Sequence, residues 1–293
     1  MRRFIVAAAL ALATSAVALA QEQEGPLAQF SSQVQLVEVY ATVTDDKGEL
    51  VTGLRRGDFD VYENNQIQDV SAFAAGEFPL TVALGVDRSW SMAGKPLELA
   101  KQASRSFLNQ LKAGDRSMVV AISSTADVIA PLSTDRFTQS RAIAALDPWS
   151  TTALHDAIIA SLDRLESEPG HQALVLFSDG NDRYSRATEA EVVARARRGN
   201  ALIYPIAFGK QRPALLAELA VLTGGRSFLL KDATELEKTL STIAKELRYQ
   251  YLLGYAPTDP IEEGVHEWRS IRLTLKNPRP GVHVRARDGY TTD

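Results

Sequence analysis

The chain has 293 residues, of which 45% are hydrophobic and 23% are charged. This composition is ordinary for a soluble globular protein and excludes disorder as the main state. The formal net charge of -4 argues against a dedicated nucleic-acid binder, which carries a clustered basic face. The absence of cysteine excludes disulfides, thiol nucleophiles and cysteine-ligated zinc.

Residues 1–20 have the features of a secretory signal peptide. Arg2 and Arg3 precede a mostly apolar, alanine-rich run, and Ala18-Leu19-Ala20 fits the small-x-small cleavage pattern. We therefore predict export to the periplasm or the extracellular space, with residues 21–32 as a linker. The alternative is an uncleaved anchor, but the run is short against the ~20 apolar residues that a spanning helix needs. No later run has that length, so we predict no integral membrane segment after cleavage.

Residues 33–76 have the pattern of a small antiparallel β segment. Residues 34–44 are rich in β-branched side chains, and Phe59–Glu63 alternates apolar and polar residues, as strands do. Asp45-Asp46-Lys47-Gly48 is a typical turn sequence between them. A further strand is predicted over residues 68–73.

From Pro79 the pattern changes to alternating strands and helices. Residues 80–86 and 173–177 are continuous apolar runs, typical of strands buried on both faces of a sheet. Helical spacing of apolar residues follows each of these strands, for example over residues 96–111 and 153–165. The alternation predicts an α/β domain over residues 77–248, with a doubly wound, mainly parallel, Rossmann-like sheet.

Residues 249–293 return to β-strand patterns over 249–255, 268–276 and 282–287. Neither flanking β segment has enough apolar surface to fold alone. We therefore predict that residues 249–293 pair with 33–76 in one small antiparallel β-sandwich, with the α/β domain inserted between them. The alternative is two separate β extensions packed on the α/β domain.

Polar residues cluster where predicted strands end or a helix begins. Asp87-Arg88-Ser89-Trp90-Ser91 follows the first buried strand, Ser178 to Asp182 follows a second, and Ser150-Thr151-Thr152 precedes a helix. Ligand sites in open α/β sheets form beyond the carboxyl ends of the strands, so these loops are expected to converge. Their hard oxygen ligands suit Mg²⁺, with Mn²⁺ or Ca²⁺ as alternatives. For Asp-x-Ser-x-Ser alone, the simpler interpretation is a capped turn before a helix.

Three segments resemble the metal-ion-dependent adhesion site of von Willebrand factor A domains: Asp87-x-Ser89-x-Ser91, Thr152-Ala153-Leu154 and Phe177-Ser178-Asp179-Gly180. The resemblance covers residues 79–247. It implies that Ser89, Ser91 and Thr152 ligate the ion, while Asp87 and Asp179 bind it directly or through water. It also implies that the last helix, over residues 233–247, shifts between affinity states.

The flanking segments are similar to those of an exported bacterial subgroup of the same family. The matching features are the Val43-Thr44-Asp45 hairpin with its glycine, Asp58-Phe59, Leu253-Gly254-Tyr255 and the Arg-x-Gly-Tyr end at residues 287–290.

Together these features predict an exported, non-enzymatic protein-binding or adhesion module. A partner's Asp or Glu would complete the coordination of the ion, and Arg88, Trp90 and Asp182 would contact the partner. One alternative is a structural subunit of an envelope assembly in which the ion only stabilises the loops. Another is a metal-dependent hydrolase with His155 or Asp182 as base, although a packing role is predicted for His155. His171 is predicted to lie in the loop before a strand.

Overall fold

The computed structural model describes residues 36–230, 232–262 and 264–292. The predicted signal peptide (1–20), the predicted linker (21–32) and the start of the first β segment lie outside these residues. No helix within the described ranges is long and apolar enough to cross a membrane.

The described residues form fourteen strands and six α-helices. The first flanking segment contributes four strands: β1 (Val37–Asp45), β2 (Phe59–Glu63), β3 (Gln66–Gln68) and β4 (Val70–Glu77). The middle of the chain contributes six strands: β5 (Leu80–Asp87), β6 (Arg116–Ile122), β7 (Ala126–Ser133), β8 (His171–Ser178), β9 (Leu202–Phe208) and β10 (Phe228–Leu230). Its helices are α1 (Lys95–Gln110), α2 (Arg136–Ala144), α3 (Leu154–Glu166), α4 (Glu189–Arg198), α5 (Ala214–Thr223) and α6 (Leu236–Arg248). The last segment contributes β11 (Tyr249–Tyr255), β12 (Trp268–Leu275), β13 (Val282–Arg285) and β14 (Gly289–Thr291).

The central sheet has the strand order β10-β9-β8-β5-β6-β7. β5 and β8 are buried along their whole length, as their continuous apolar sequences predict. One face of the sheet packs on α1 and α6, through residues such as Phe107 and Leu240, and the other packs on α3, α4 and α5. The predicted α/β fold class is confirmed, with one refinement: the sheet is mixed because β7 pairs antiparallel to β6.

Strands from the two flanking segments share two antiparallel sheets, with orders β13-β1-β11-β4 and β14-β12-β2-β3. Inward-facing residues of both sheets form a third hydrophobic core; Val39 and Leu253 come from one sheet, and Val61 and Ile271 from the other. The two sheets therefore face each other as a β-sandwich. Each flanking segment supplies strands to both sheets, so neither sheet exists without the other segment.

The α/β unit and the sandwich are joined through α6, which runs into β11 and forms an ion pair with β13. α6 ends at Arg248 and β11 begins at the next residue, and the Arg248 guanidinium donates to the Asp115 carboxylate over 2.7 Å. The buried Glu246 carboxylate accepts from Arg226 and also pairs with Arg285 of β13. These ion pairs fix the C-terminal end of α6 to its surroundings.

The prediction for His171 is wrong, because this residue is the first of β8 and is only 1% exposed. Its imidazole stacks on the Tyr40 ring of β1, with 4.2 Å between ring centres. The strand starts earlier than its apolar run suggests, because His171 pairs with Leu80 of β5 and its ring is covered by Tyr40 from a distant segment of the chain.

Candidate metal centre

The predicted site lies at the point in the sheet where the strand order reverses. From β5 the chain builds β6 and β7 on one side, and β8, β9 and β10 on the other. The connections that follow two adjacent parallel strands here run to opposite sides of the sheet. A crevice forms between them at the carboxyl ends of the strands, and this crevice is the usual ligand site of such sheets. Val86 pairs with Phe177 in register, so Asp87 and Ser178 stand side by side at this crevice.

Asp87 is a fully buried carboxylate at the end of β5. Its Oδ2 accepts a hydrogen bond of 2.6 Å from the Ser178 hydroxyl, and its Oδ1 accepts one of 2.9 Å from the Ser89 backbone N–H. Burial raises the pKa of Asp87 to about 6; the Asp179 carboxylate adds to the rise, and hydrogen bonds from Ser178 and Ser89 oppose it.

No ion pair within the described ranges includes Asp87 or Asp179. A buried carboxylate without a cationic neighbour is costly, since its desolvation is not offset by an opposite charge. A cation bound here would supply that charge. This fits the predicted metal better than it fits a simple capped turn.

Ser89 and Ser91 present their hydroxyls together. Residues Trp90–Met92 form a short 3₁₀ helix. In this tight turn the Ser89 and Ser91 Oγ atoms lie 3.1 Å apart. Ser89 is buried, whereas Ser91 is exposed. The two oxygens therefore lie at the boundary between the protein interior and solvent.

The Thr152 loop is tied to this turn. The Trp90 N–H donates to the Ser150 carbonyl over 3.1 Å, and the Trp149 N–H donates to the Arg88 carbonyl over 2.7 Å. Ser150 has a left-handed backbone with φ of 60°, which costs a non-glycine residue about 1–2 kcal/mol. Ser150 lies two residues before Thr152, whose side chain is buried, and such backbone outliers are common at functional sites.

The Asp179 loop joins the same arrangement. The backbone N–H groups of Arg183 and Tyr184 each donate 2.9 Å bonds to the Thr152 carbonyl. Asp179 is half-buried, and its carboxylate accepts from the backbone and side-chain amides of Asn181. The three loops that carry the five predicted ligands are therefore adjacent and connected by backbone hydrogen bonds.

Gly180 is required next to Asp179. Its φ is +81°, and a Cβ at this position would lie 2.2 Å from Cγ of Pro213. Both the backbone conformation and the packing therefore exclude a side chain here.

The other predicted site residues take different positions. Asp182 Oδ1 accepts bonds from the Leu154 N–H (2.7 Å) and the Ser185 hydroxyl (2.6 Å), so this oxygen is used inside the protein to fix the start of α3. Trp90 is 65% exposed. Arg88 is half-buried, with its guanidinium carbon 6.0 Å from the centre of the Trp149 ring.

His155 is held in a structural contact. Its Nδ1 lies 3.0 Å from the Ala187 carbonyl oxygen and 3.8 Å from the Asp182 carboxylate. The ring thereby ties α3 to the segment that leads into α4.

The donor set fits a hard cation. It offers hydroxyl and carboxylate oxygens, which Mg²⁺ and Mn²⁺ prefer, and no nitrogen or sulfur. With only two carboxylates it is weakly charged, and no group of three or more His, Cys, Asp or Glu side chains suited to a metal occurs in the described part of the chain.

Three residues that shape the site lie in the segments identified from the sequence but had no predicted role there: Ser150, Ser178 and Gly180. A signal was present for two of them. Ser178 precedes Asp179 at a buried strand end, where a polar residue needs a partner, and Gly180 follows an aspartate at a strand end.

Solved structures share this fold at low sequence identity. A von Willebrand factor type A protein from Catenulispora acidiphila superposes with a TM-score of 0.51 and 17% identity, covering 87% of this chain and 73% of its own. Proximal thread matrix protein 1 from the mussel byssus gives a TM-score of 0.51 and 16% identity, covering 64% of this chain and 51% of its own.

Relatives by sequence include UPF0353 proteins of mycobacteria. Those of Mycolicibacterium gilvum and Mycobacterium leprae are each 24% identical, over 60% and 63% of this chain. The chain spans 62% and 65% of the length of these relatives. The family model of the von Willebrand factor type A domain matches residues 82–242. The chain therefore belongs to the von Willebrand factor type A domain family.

Proposed function

We propose that this chain is a metal-dependent protein-binding module and not an enzyme. In this proposal Asp87, Ser89, Ser91, Thr152 and Asp179 hold one divalent cation, with Mg²⁺ preferred over Mn²⁺ or Ca²⁺. The bound cation supplies a Lewis-acid position for a carboxylate from a partner protein. Domains of this family commonly serve in protein interaction and adhesion.

One observation carries the proposal. A fully buried Asp87 carboxylate, without a cationic partner in the described part of the chain, stands at the sheet crevice together with Asp179. The paired hydroxyls of Ser89 and Ser91 add two neutral oxygens at the solvent boundary. Neutral ligands leave part of the cation's charge uncompensated, which favours an anionic ligand from outside.

Calorimetric titration of Mg²⁺ and Mn²⁺ tests the metal site. We expect the wild-type protein to bind one ion, and Asp87→Asn, which keeps the side-chain shape but removes the charge, to lose at least about tenfold in affinity. Asp69→Asn is the matched control, because Asp69 is an exposed carboxylate of the β-sandwich segment. Equal affinity in wild type and Asp87→Asn would contradict the site.

A partner complex tests the role of the ion. Capture of a partner that is lost on chelation supports carboxylate recognition through the metal. Capture that survives chelation would instead favour a structural subunit in which the ion only stabilises the loops.

We also propose export, on the basis of residues 1–20 and the flanking motifs described above. Fractionation of cells that express the protein, followed by N-terminal sequencing, tests this. The expected product begins at Gln21 outside the cytoplasm, and a cytoplasmic product that begins at Met1 would contradict it.

A further inference from the structure

Exposed aromatic side chains are concentrated around the candidate metal centre. Four aromatic residues within the described ranges are at least 60% exposed: Trp90 (65%), Phe137 (72%), Trp149 (60%) and Tyr184 (64%). Three of them lie on the loops that carry the predicted ligands, and we name Trp90, Trp149 and Tyr184 the aromatic rim. Phe137 lies elsewhere, at the start of α2.

Backbone hydrogen bonds fix the aromatic rim in place. The Trp90 N–H donates to Ser150, the Trp149 N–H to Arg88, and the Tyr184 N–H to Thr152, so each aromatic residue is bonded to a neighbouring loop of the site. Their side chains take no part in these bonds. The three exposed rings are therefore carried by loops whose backbones are hydrogen-bonded to one another, which limits the entropy lost when a partner covers them.

Two arginines lie on the loops that carry the aromatic rim, next to the proposed ligands. Neither Arg88 nor Arg183 takes part in an ion pair among the described residues, and the Nε of Arg88 is buried without a hydrogen-bond partner. On the acidic side, Asp182 is used inside the protein, and Asp179 is a proposed ligand of the ion. Arg88 and Arg183 are therefore two cations on these loops without a partner carboxylate, while the exposed Asp147, two residues before Trp149, is an acid that also takes part in no ion pair among the described residues.

We propose that the aromatic rim selects a protein loop in which an Asp or Glu is flanked by apolar side chains; this inference rests on the proposed function. The carboxylate completes the coordination of the ion, while Trp149 and Tyr184 cover the apolar neighbours and Arg88 disfavours basic ones. Trp, Tyr and Arg are the residues that most often dominate protein–protein binding energy, particularly near the centre of an interface.

Selection from a library of cyclised nine-residue random peptides, in Mg²⁺ and in EDTA, tests the specificity. The wild-type protein is expected to enrich peptides with one acidic residue and apolar neighbours in Mg²⁺ only. Selection on Trp149→Ala/Tyr184→Ala is expected to keep the acidic residue but lose the preference for apolar neighbours.

The affinity of one enriched peptide then measures the contribution of each ring. Trp149→Ala and Tyr184→Ala should each weaken binding by at least about tenfold. Phe137→Ala is the matched control, because this exposed ring follows β7, whose Ser133 pairs with Ser117 near the opposite end of the sheet. It should leave the affinity unchanged, and titration of Mn²⁺ into every variant verifies that the metal site is intact.

The outcomes separate the two proposals. Failure to enrich acidic residues in Mg²⁺ would contradict the proposed function itself. Enrichment of acidic residues with random or basic neighbours, or an unchanged affinity in both rim variants, would overturn only the inference about the aromatic rim. Tighter binding to polygalacturonate, an acidic polysaccharide, than to any selected peptide would also overturn it.

Discussion

The Ser178 hydroxyl donates a 2.6 Å hydrogen bond to the Asp87 carboxylate, and so joins the ends of two adjacent parallel strands, β5 and β8. Both side chains are fully buried. A hydrogen bond to a charged group contributes more than one between neutral groups, so Ser178 holds Asp87 in one orientation at the crevice. The position of the candidate ligand thus depends on a residue outside the proposed ligand set.

Ser178→Ala should lower the free energy of unfolding by about 1.5–3 kcal/mol, because it removes a donor from a buried carboxylate. Urea denaturation without metal at pH 7.5 measures this. Ser161→Ala is the control, since the buried Ser161 hydroxyl bonds only to a carbonyl of its own helix over 2.7 Å. Its effect should be about 1 kcal/mol or less. A similar loss in both variants would contradict the special role of Ser178.

Gly180→Ala should destabilise the protein by at least about 2 kcal/mol and weaken metal binding, because the new methyl group meets Pro213 and the backbone has positive φ. Thermal unfolding and Mn²⁺ titration measure the two effects. In the control Gly114→Ala, no atom lies within 4 Å of the added Cβ. An undisturbed Gly180→Ala protein with normal Mn²⁺ affinity would show that the Asp179 loop is not fixed in this way.

Acid should destabilise the protein through His171. Burial lowers the pKa of His171 to about 3, so between this value and the ordinary 6.5 only the unfolded chain binds the proton. Stability is therefore retained above pH 6.5 and falls as the pH is lowered, by up to about 1.4 kcal/mol per pH unit from this group.

Urea denaturation of wild type and His171→Leu between pH 4.5 and 7.5 measures that dependence. The variant should show a slope that is smaller by up to about 1.4 kcal/mol per pH unit. His283→Leu is the control, because it removes a histidine whose side chain is 66% exposed. Identical slopes in wild type and His171→Leu would refute the role of His171.

Glu246→Ala should cost about 1.5–3 kcal/mol of stability, because it removes the buried carboxylate that accepts charged hydrogen bonds from two partly exposed arginines. The exposed Glu237 of the same helix provides the control, and Glu237→Ala should change the stability by less than about 0.5 kcal/mol. Guanidinium denaturation compares them. A loss below about 1 kcal/mol in Glu246→Ala would mean that α6 is not held by this cluster.

The central strands were predictable because burial on both faces leaves a continuous apolar sequence. The predicted bounds of β5 and β8 lie within two residues of the observed ends, and those of β2 match the structure. The short strand β14 was missed, since three residues carry too little pattern to stand out. The antiparallel direction of β7 was also not predicted, because strand direction depends on the connection and not on the residues of the strand.

The sequence predicted the oxygen ligands of the candidate site but not the contacts that hold these ligands in place. Asp87, Ser89, Ser91, Thr152 and Asp179 stand out because polar residues follow buried strands or precede a helix. The strain at Ser150, the Ser178 bond and the exposure of Trp149 and Tyr184 arise from contacts between loops that are distant in sequence. No local pattern encodes such contacts.

Diffraction from crystals of the protein soaked in Mn²⁺ tests the central claim most directly. An anomalous peak about 2.1–2.3 Å from the Ser89 and Ser91 hydroxyl oxygens, beside Thr152 and the two aspartates, is the predicted result. Absence of the peak in wild-type crystals, or a peak that persists unchanged in Asp87→Asn, would contradict the assignment of this crevice as the metal centre.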